Sequence, residues 1–183
     1  MLRGWQLSAI AGYASGPPQV AYYTLTGVSQ TVLNQEITGS ADIQPRAVLS
    51  CNPTTGGPKT VLDWIDLSCM HPASVGSVGI DSGVGAFRGL GYTNWDASIM
   101  KRFQFGREAN RFMQLRFEAY NVFNHTEWSG INLTPSFSPA TGQITNLASS
   151  TPGQGGGIFG YGALNVVRAG SPRVVQLGAK VYF

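Results

Sequence analysis

The chain has 183 residues, of which 11% are charged and 43% hydrophobic, with 24 glycines and a net charge of +3. So few charges beside an ordinary apolar share fit neither a disordered segment nor a typical soluble surface, since about a quarter of residues are charged in average soluble domains. The basic residues are scattered rather than striped, so no nucleic-acid partner is expected. No run approaches the roughly 18 apolar residues that a spanning helix needs.

In chain order, residues 1–5 show no charged stretch followed by an apolar core, so no secretory leader is read there. Either the protein stays in the cytoplasm or a segment precedes Met1, and the later residues favour the second. Trp5, Leu7, Ala9 and Ala11 then alternate with Gln6, Ser8, Ile10 and Gly12, which is the period of a strand. Residues 16–92 form a long connection rich in Thr, Ser, Gly, Asn and Pro. Within it, Val20 to Thr26 is expected to extend the strands, and Asp63 to Leu67 reads as a short helical turn or a strand. Cys51 and Cys69 lie here, and an even pair in a loop fits a disulfide in an oxidising compartment. Closing about 18 residues would stabilise by roughly 3 kcal/mol on the chain-entropy model. His71 is the one further candidate ligand nearby, so no metal site is expected.

A β-hairpin is predicted over residues 93–123. Trp95, Ala97, Ile99, Phe103 and Phe105 alternate with Asp96, Ser98, Arg102 and Gln104, with Lys101 breaking the apolar row and Met100 the polar one. Met113, Leu115, Phe117 and Ala119 alternate with Gln114, Arg116, Glu118 and Tyr120. Residues 106–110 are the short turn between them. A second long connection covers residues 124–171, where Thr151 to Gly157 reads as flexible linker. The terminal strand, residues 172–183, sets Val175, Leu177, Ala179, Val181 and Phe183 against Gln176, Gly178, Lys180 and Tyr182. No segment carries a clear helix period.

Each alternating segment runs about ten to twelve residues, against five or six in usual soluble strands. A strand tilted by roughly 45° needs about 9–11 residues to cross a bilayer. Aromatics bound these segments, with Phe103, Phe105, Phe112, Tyr182 and Phe183 at one end and Tyr13, Trp95, Tyr120 and Phe123 at the other, as in a membrane girdle. Long connections at one end and a short turn at the other match extracellular loops and a periplasmic turn. The strand from Trp95 would descend, that from Arg111 rise, and the last descend to leave Phe183 at the periplasmic rim. The expected fold is all-β, an antiparallel transmembrane β-barrel segment of about four long strands, an incomplete barrel in a bacterial outer membrane. Asp96, Arg102, Gln114, Arg116, Glu118, Gln176 and Lys180 would point into the lumen, where opposite charges can pair across strands.

Little suggests catalysis. Asp63 and Asp66 read as a solvated loop pair, His71 and His125 have no nucleophile or base beside them, and the glycines after Gly153 lack a phosphate-binding Lys-Ser/Thr. No enzyme activity and no cofactor are expected.

The ending Gln176-x-Gly178-x-x-Val181-x-Phe183 resembles the C-terminal assembly signal of outer-membrane barrels. Arg88-Gly89-Leu90-Gly91 through Asn94, Asp96 and Ser98 is similar to a stretch near the end of Oar-like TonB-dependent receptors, with Leu90 where proline is usual. Arg116-Phe117-Glu118-Ala119-Tyr120-Asn121-Val122-Phe123-Asn124-His125 resembles their penultimate-strand signature. Gly4 to Ile10 with Ser15-Gly16-Pro17-Pro18 resembles an earlier strand and the start of its loop. Members of that family are 22-stranded barrels around an N-terminal plug. The resemblance therefore implies that this chain is the C-terminal end of such a receptor, serving energised uptake of a bulky solute. The implied partners are the rest of the barrel and plug, outer-membrane lipid, the barrel-assembly machinery, TonB through the plug, and an unidentified solute. A secreted β-sandwich, an adhesin or carbohydrate-binding module, is the alternative; it would bury the apolar rows against a second sheet.

Overall fold

A computed structural model describes residues 3–76, 81–105, 111–168, 170 and 172–183. In chain order the elements are β1 (Trp5–Ala14), β2 (Pro18–Gln19), β3 (Thr24–Leu25), α1 (Gln30–Thr38), β4 (Val48–Leu49), β5 (Met70–His71) and β6 (Phe87–Arg88). They continue with β7 (Tyr92–Gln104), β8 (Phe112–Tyr120), β9 (Trp128–Ile131), β10 (Ser136–Phe137), β11 (Leu164–Val167) and β12 (Val174–Tyr182). Short 3-10 turns cover Leu67–Cys69 and Gly157–Phe159. The chain divides into two units: a sheet unit (Met1–Ala14, Tyr92–Glu127, Val167–Phe183) and a loop unit (Ser15–Gly91, Trp128–Val166).

The sheet unit is a four-stranded antiparallel meander in the order β1-β7-β8-β12. Its register follows from the alternation. Leu7 lies opposite Ile99, Ile99 opposite Phe117 and Phe117 opposite Leu177, so one face carries an apolar row across all four strands. On the other face Ser98, Glu118 and Gln176 form the neighbouring row. The sheet does not close: β1 pairs only with β7 and β12 only with β8 among the described residues. Both faces meet solvent. Leu7 is 78% and Leu177 77% exposed, so the apolar row has no second sheet over it, as the β-sandwich alternative required. Such a surface is stable only where its surroundings are also apolar.

Register also corrects the aromatic girdle. Phe112 and Tyr182, opposite each other, share the polar face with Gln114 and Lys180, as does Tyr120 opposite Val174. The apolar face keeps Tyr13, Trp95 and Phe123 at one end, in edge-on contacts of 5.8 and 6.0 Å. At its other end stand Phe103 and Trp5, the latter expected in the apolar row but not among the girdle rings. The short turn at 106–110 lies outside the described residues.

The loop unit departs furthest from expectation. The two long connections fold together around Tyr23, Leu33, Ile65, Met70, Phe137 and Tyr161. A helix appears where none was expected. Ser29 Oγ accepts from Val32 N–H (3.4 Å) at its start, and Gly39 at φ 77° ends it, donating to Gln35 O. Part of Val20–Thr26 does pair, but β3 runs parallel to β10 inside this unit rather than extending the long strands. Asp63–Leu67 resolves into the approach to the 3-10 turn, whose Ser68 N–H is capped by the Asp66 side chain. The glycine-rich stretch is not a linker: Gly156 N–H bonds Leu147 O (2.9 Å) and Ser149 N–H bonds Gly157 O (3.0 Å). Cys51 and Cys69 are joined by a disulfide beside the β4–β5 pair.

Candidate functional site

The polar face is built by β7, β8 and β12, whose even-numbered residues it presents. Gln114 lies between Arg102 and Lys180, and Glu118 between Ser98 and Gln176. Arg116 lies between Met100 and Gly178, and because Gly178 has no side chain the row opens into a recess of about 310 Å³. Gln114, Arg116, Glu118, Gln176 and Lys180 line it. Among the described residues, the ion pair seen on this face runs along one strand rather than across two. Arg116 instead meets Glu118, two residues along its own strand, at 3.5 Å, because its cross-strand neighbour is glycine. Arg102 lies over the Phe112 ring at 3.7 Å, and that ring stacks on Tyr182 at 4.3 Å. Chemically this is a wet surface of donors and acceptors suited to reversible polar contacts.

Asp96 has a different task. Its Oδ1 accepts from Asn94 Nδ2 and from Asn121 N–H, both at 2.9 Å, tying the start of β7 to the chain leaving β8. There the chain turns with Asn121 at φ 48° and Asn124 at φ 52°, a left-handed geometry that asparagine tolerates. Asn121 Nδ2 donates to His125 O, and His125 N–H donates to Asn121 Oδ1. The buried Glu127 closes the knot, accepting from Thr93 N–H at 3.3 Å and meeting His125 Nδ1 at 2.9 Å. Glu127 was not singled out in the sequence. Its only signal there is a carboxylate two residues after His125 in a chain with few charges. In the loop unit a second pair of motifs meets. Arg88 Nη1 donates to Gly16 O (3.1 Å), and Gly89 N–H donates to Pro17 O (2.9 Å). A Cβ on Gly16 would strike the Gly89 carbonyl.

Asp63 and Asp66 do not behave alike. Asp63 Oδ1 is buried without a hydrogen-bond partner among the described residues, and burial, then the nearby Asp66, raise its pKa above the usual carboxylate range. Asp66 is held below that range by the Ser68 hydroxyl and then the Ser68 N–H. Tyr161, wholly buried and with no hydroxyl partner among the described residues, is pushed upward by burial and then by the charges of Asp66 and Asp63. Asp66 also lies close to Cys51 and Cys69, but those sulfurs are bonded to each other and offer no thiolate. A wider opening of about 760 Å³ in the loop unit is lined by Tyr22, Ile43, Asp42 and the Arg46–Asp81 ion pair (2.7 Å).

In the terminal strand, Gln176 and Gly178 share the polar face, and Val181 the apolar one with Met113. Phe183 follows the strand, 98% exposed.

A family model for the outer membrane beta barrel domain matches residues 1–168. No curated protein and no solved structure matches the chain. The matched span covers β1, β7 and β8, and it accounts for long strands with one face apolar, uncovered and rimmed by rings. The match places the protein in the bacterial outer membrane, and the chain belongs to the outer membrane beta barrel domain family.

Proposed function

We propose that this sheet is part of the wall of an Oar-like TonB-dependent receptor, and that the whole receptor takes up a bulky solute by energised transport. The observation that carries the reading is where the receptor-like motifs meet. Residues 94–96 and 121–125 meet through the Asp96 carboxylate, and residues 15–17 and 88–89 meet through Arg88 and a glycine contact. Motifs distant in sequence that serve one another in space support common descent better than isolated matches do. The two open sheet edges support a larger barrel, because unpaired N–H and C=O groups are costly in hydrocarbon. The remaining strands and a plug would complete it, and TonB would act through that plug. The loop unit, built from both long connections, would select the solute. The chemistry is binding and gating, not bond-making, and needs no cofactor.

The test is capture of the complete receptor containing this sheet by an immobilised periplasmic TonB domain. Retention that depends on the receptor's plug segment is the expected result. Absence of retention, with the receptor correctly inserted, would overturn the TonB reading while leaving the outer-membrane assignment intact.

A further inference from the structure

Lys101 is the one charged side chain that the described strands place on the apolar face. Register sets it between Trp5 and Leu115, three residues inside the end of β7. A lysine there is expensive near the middle of a bilayer and tolerable at its boundary. The side chain shows how the cost is avoided. Its Nζ lies 4.8 Å from the Trp5 ring centroid and 5.7 Å from that of Phe103, and donates to Arg3 O at 2.8 Å. It therefore reaches toward the strand end, with its stem along apolar surface and its ammonium at the boundary. Two of its three donors remain for other acceptors. No carboxylate among the described residues lies within ion-pairing distance of it. Arg3, exposed, adds a second positive charge at this end of the chain.

The geometry points to a binding site for the phosphate of an anionic phospholipid, formed by Lys101 and Arg3 with Trp5 and Phe103 as its apolar flank. The chain belongs to an outer-membrane barrel family, whose strands turn their apolar face to lipid, and a lipid phosphate is an acceptor available at the membrane boundary. The rings serve twice: their faces attract the ammonium, and their edges contact the first acyl carbons. The end of the sheet decides which lipid. β7 and β8 are joined here by the short connection at residues 106–110, whereas both long connections leave from the opposite end. Short turns face the periplasm in such proteins. The leaflet on that side is phospholipid rather than lipopolysaccharide, so the glycerophosphate headgroup is the occupant. This site does not depend on TonB or on any solute.

The test uses the full chain in zwitterionic detergent micelles doped with brominated phosphatidylglycerol or an equal fraction of brominated phosphatidylcholine. Quenching of Trp5, read as the difference from a Trp5→Phe variant, reports the lipid beside it. One ammonium beside a phosphate enriches the anionic lipid roughly five-fold. That preference is expected to fall in Lys101→Gln, persist in Lys101→Arg, and weaken as salt rises. Equal quenching by both lipids in the unmodified chain would overturn the site, as would a preference that Lys101→Gln leaves intact. If Lys101→Gln loses strand content by circular dichroism, the salt series on the unmodified chain decides, and a salt-independent preference overturns the proposal. Displacement of brominated phosphatidylglycerol by lipid A more readily than by phosphatidylglycerol would overturn the choice of leaflet.

Discussion

Three carboxylates in this chain show how little a residue's type says about its task. Asp96 reads as one more polar residue of a strand, yet its oxygen holds two donors and fixes where β8 ends. Asp63 and Asp66 read as an exposed pair, yet one is raised by burial and the other lowered by hydrogen bonds. Opposite signs follow for stability. A carboxyl raised on folding favours the folded state when protonated, and that advantage is lost as pH climbs from the ordinary aspartate value through the raised one. A carboxyl lowered on folding stabilises above the ordinary value and ceases to do so as pH falls through the lowered one. Asp63→Asn is therefore expected to raise the melting temperature at neutral pH, with the gain shrinking in acid. Asp66→Asn should lower it at neutral pH and converge with the unmodified chain in acid. Thermal melts followed by Trp64 fluorescence across pH check both; parallel curves at every pH would contradict the assignment. None of this was legible in the sequence, because spacing does not reveal which oxygen is buried.

The elements divide by how local their causes are. The long strands were legible because a period of two is written into consecutive residues, and one register then fixes every face. Glu118 had to lie beside Gln176 once Leu115 and Phe117 lay beside Ala179 and Leu177. The helix α1 was missed because its residues are mostly polar and it spans only nine positions. Its signal was at the ends, Ser29 and Gly39, rather than in any apolar stripe. The terminal strand makes an element-scale prediction. β12 is an edge, and an edge strand is recognised through its backbone while spaced side chains give specificity. If Gln176, Gly178, Val181 and Phe183 form the assembly signal, deleting Phe183 from the complete receptor should sharply reduce its insertion into the outer membrane. Insertion at the unmodified level, measured by heat-modifiable gel mobility, would remove that role.

For the whole molecule, the decisive quantity is what each face of the sheet touches. Leu177 and Gln176 are adjacent and point to opposite faces. An arginine at a lipid-facing position costs about 2–4 kcal/mol near the midplane, whereas a wet lumen accepts it. Leu177→Arg should deplete the receptor from washed outer membranes, and Gln176→Arg should leave its level nearly unchanged; equal depletion would mean the faces are misassigned. By itself the sequence determined a long-stranded sheet with one apolar and one polar side, because alternation is a local property that survives without knowledge of the fold. Only the tertiary structure decided that the two long connections form a unit with a core of its own. Tyr23, Leu33, Ile65, Met70, Phe137 and Tyr161 are scattered over 139 positions (Tyr23 through Tyr161) with no period between them. Their burial depends on which distant residues meet, a fact that no window of neighbours contains.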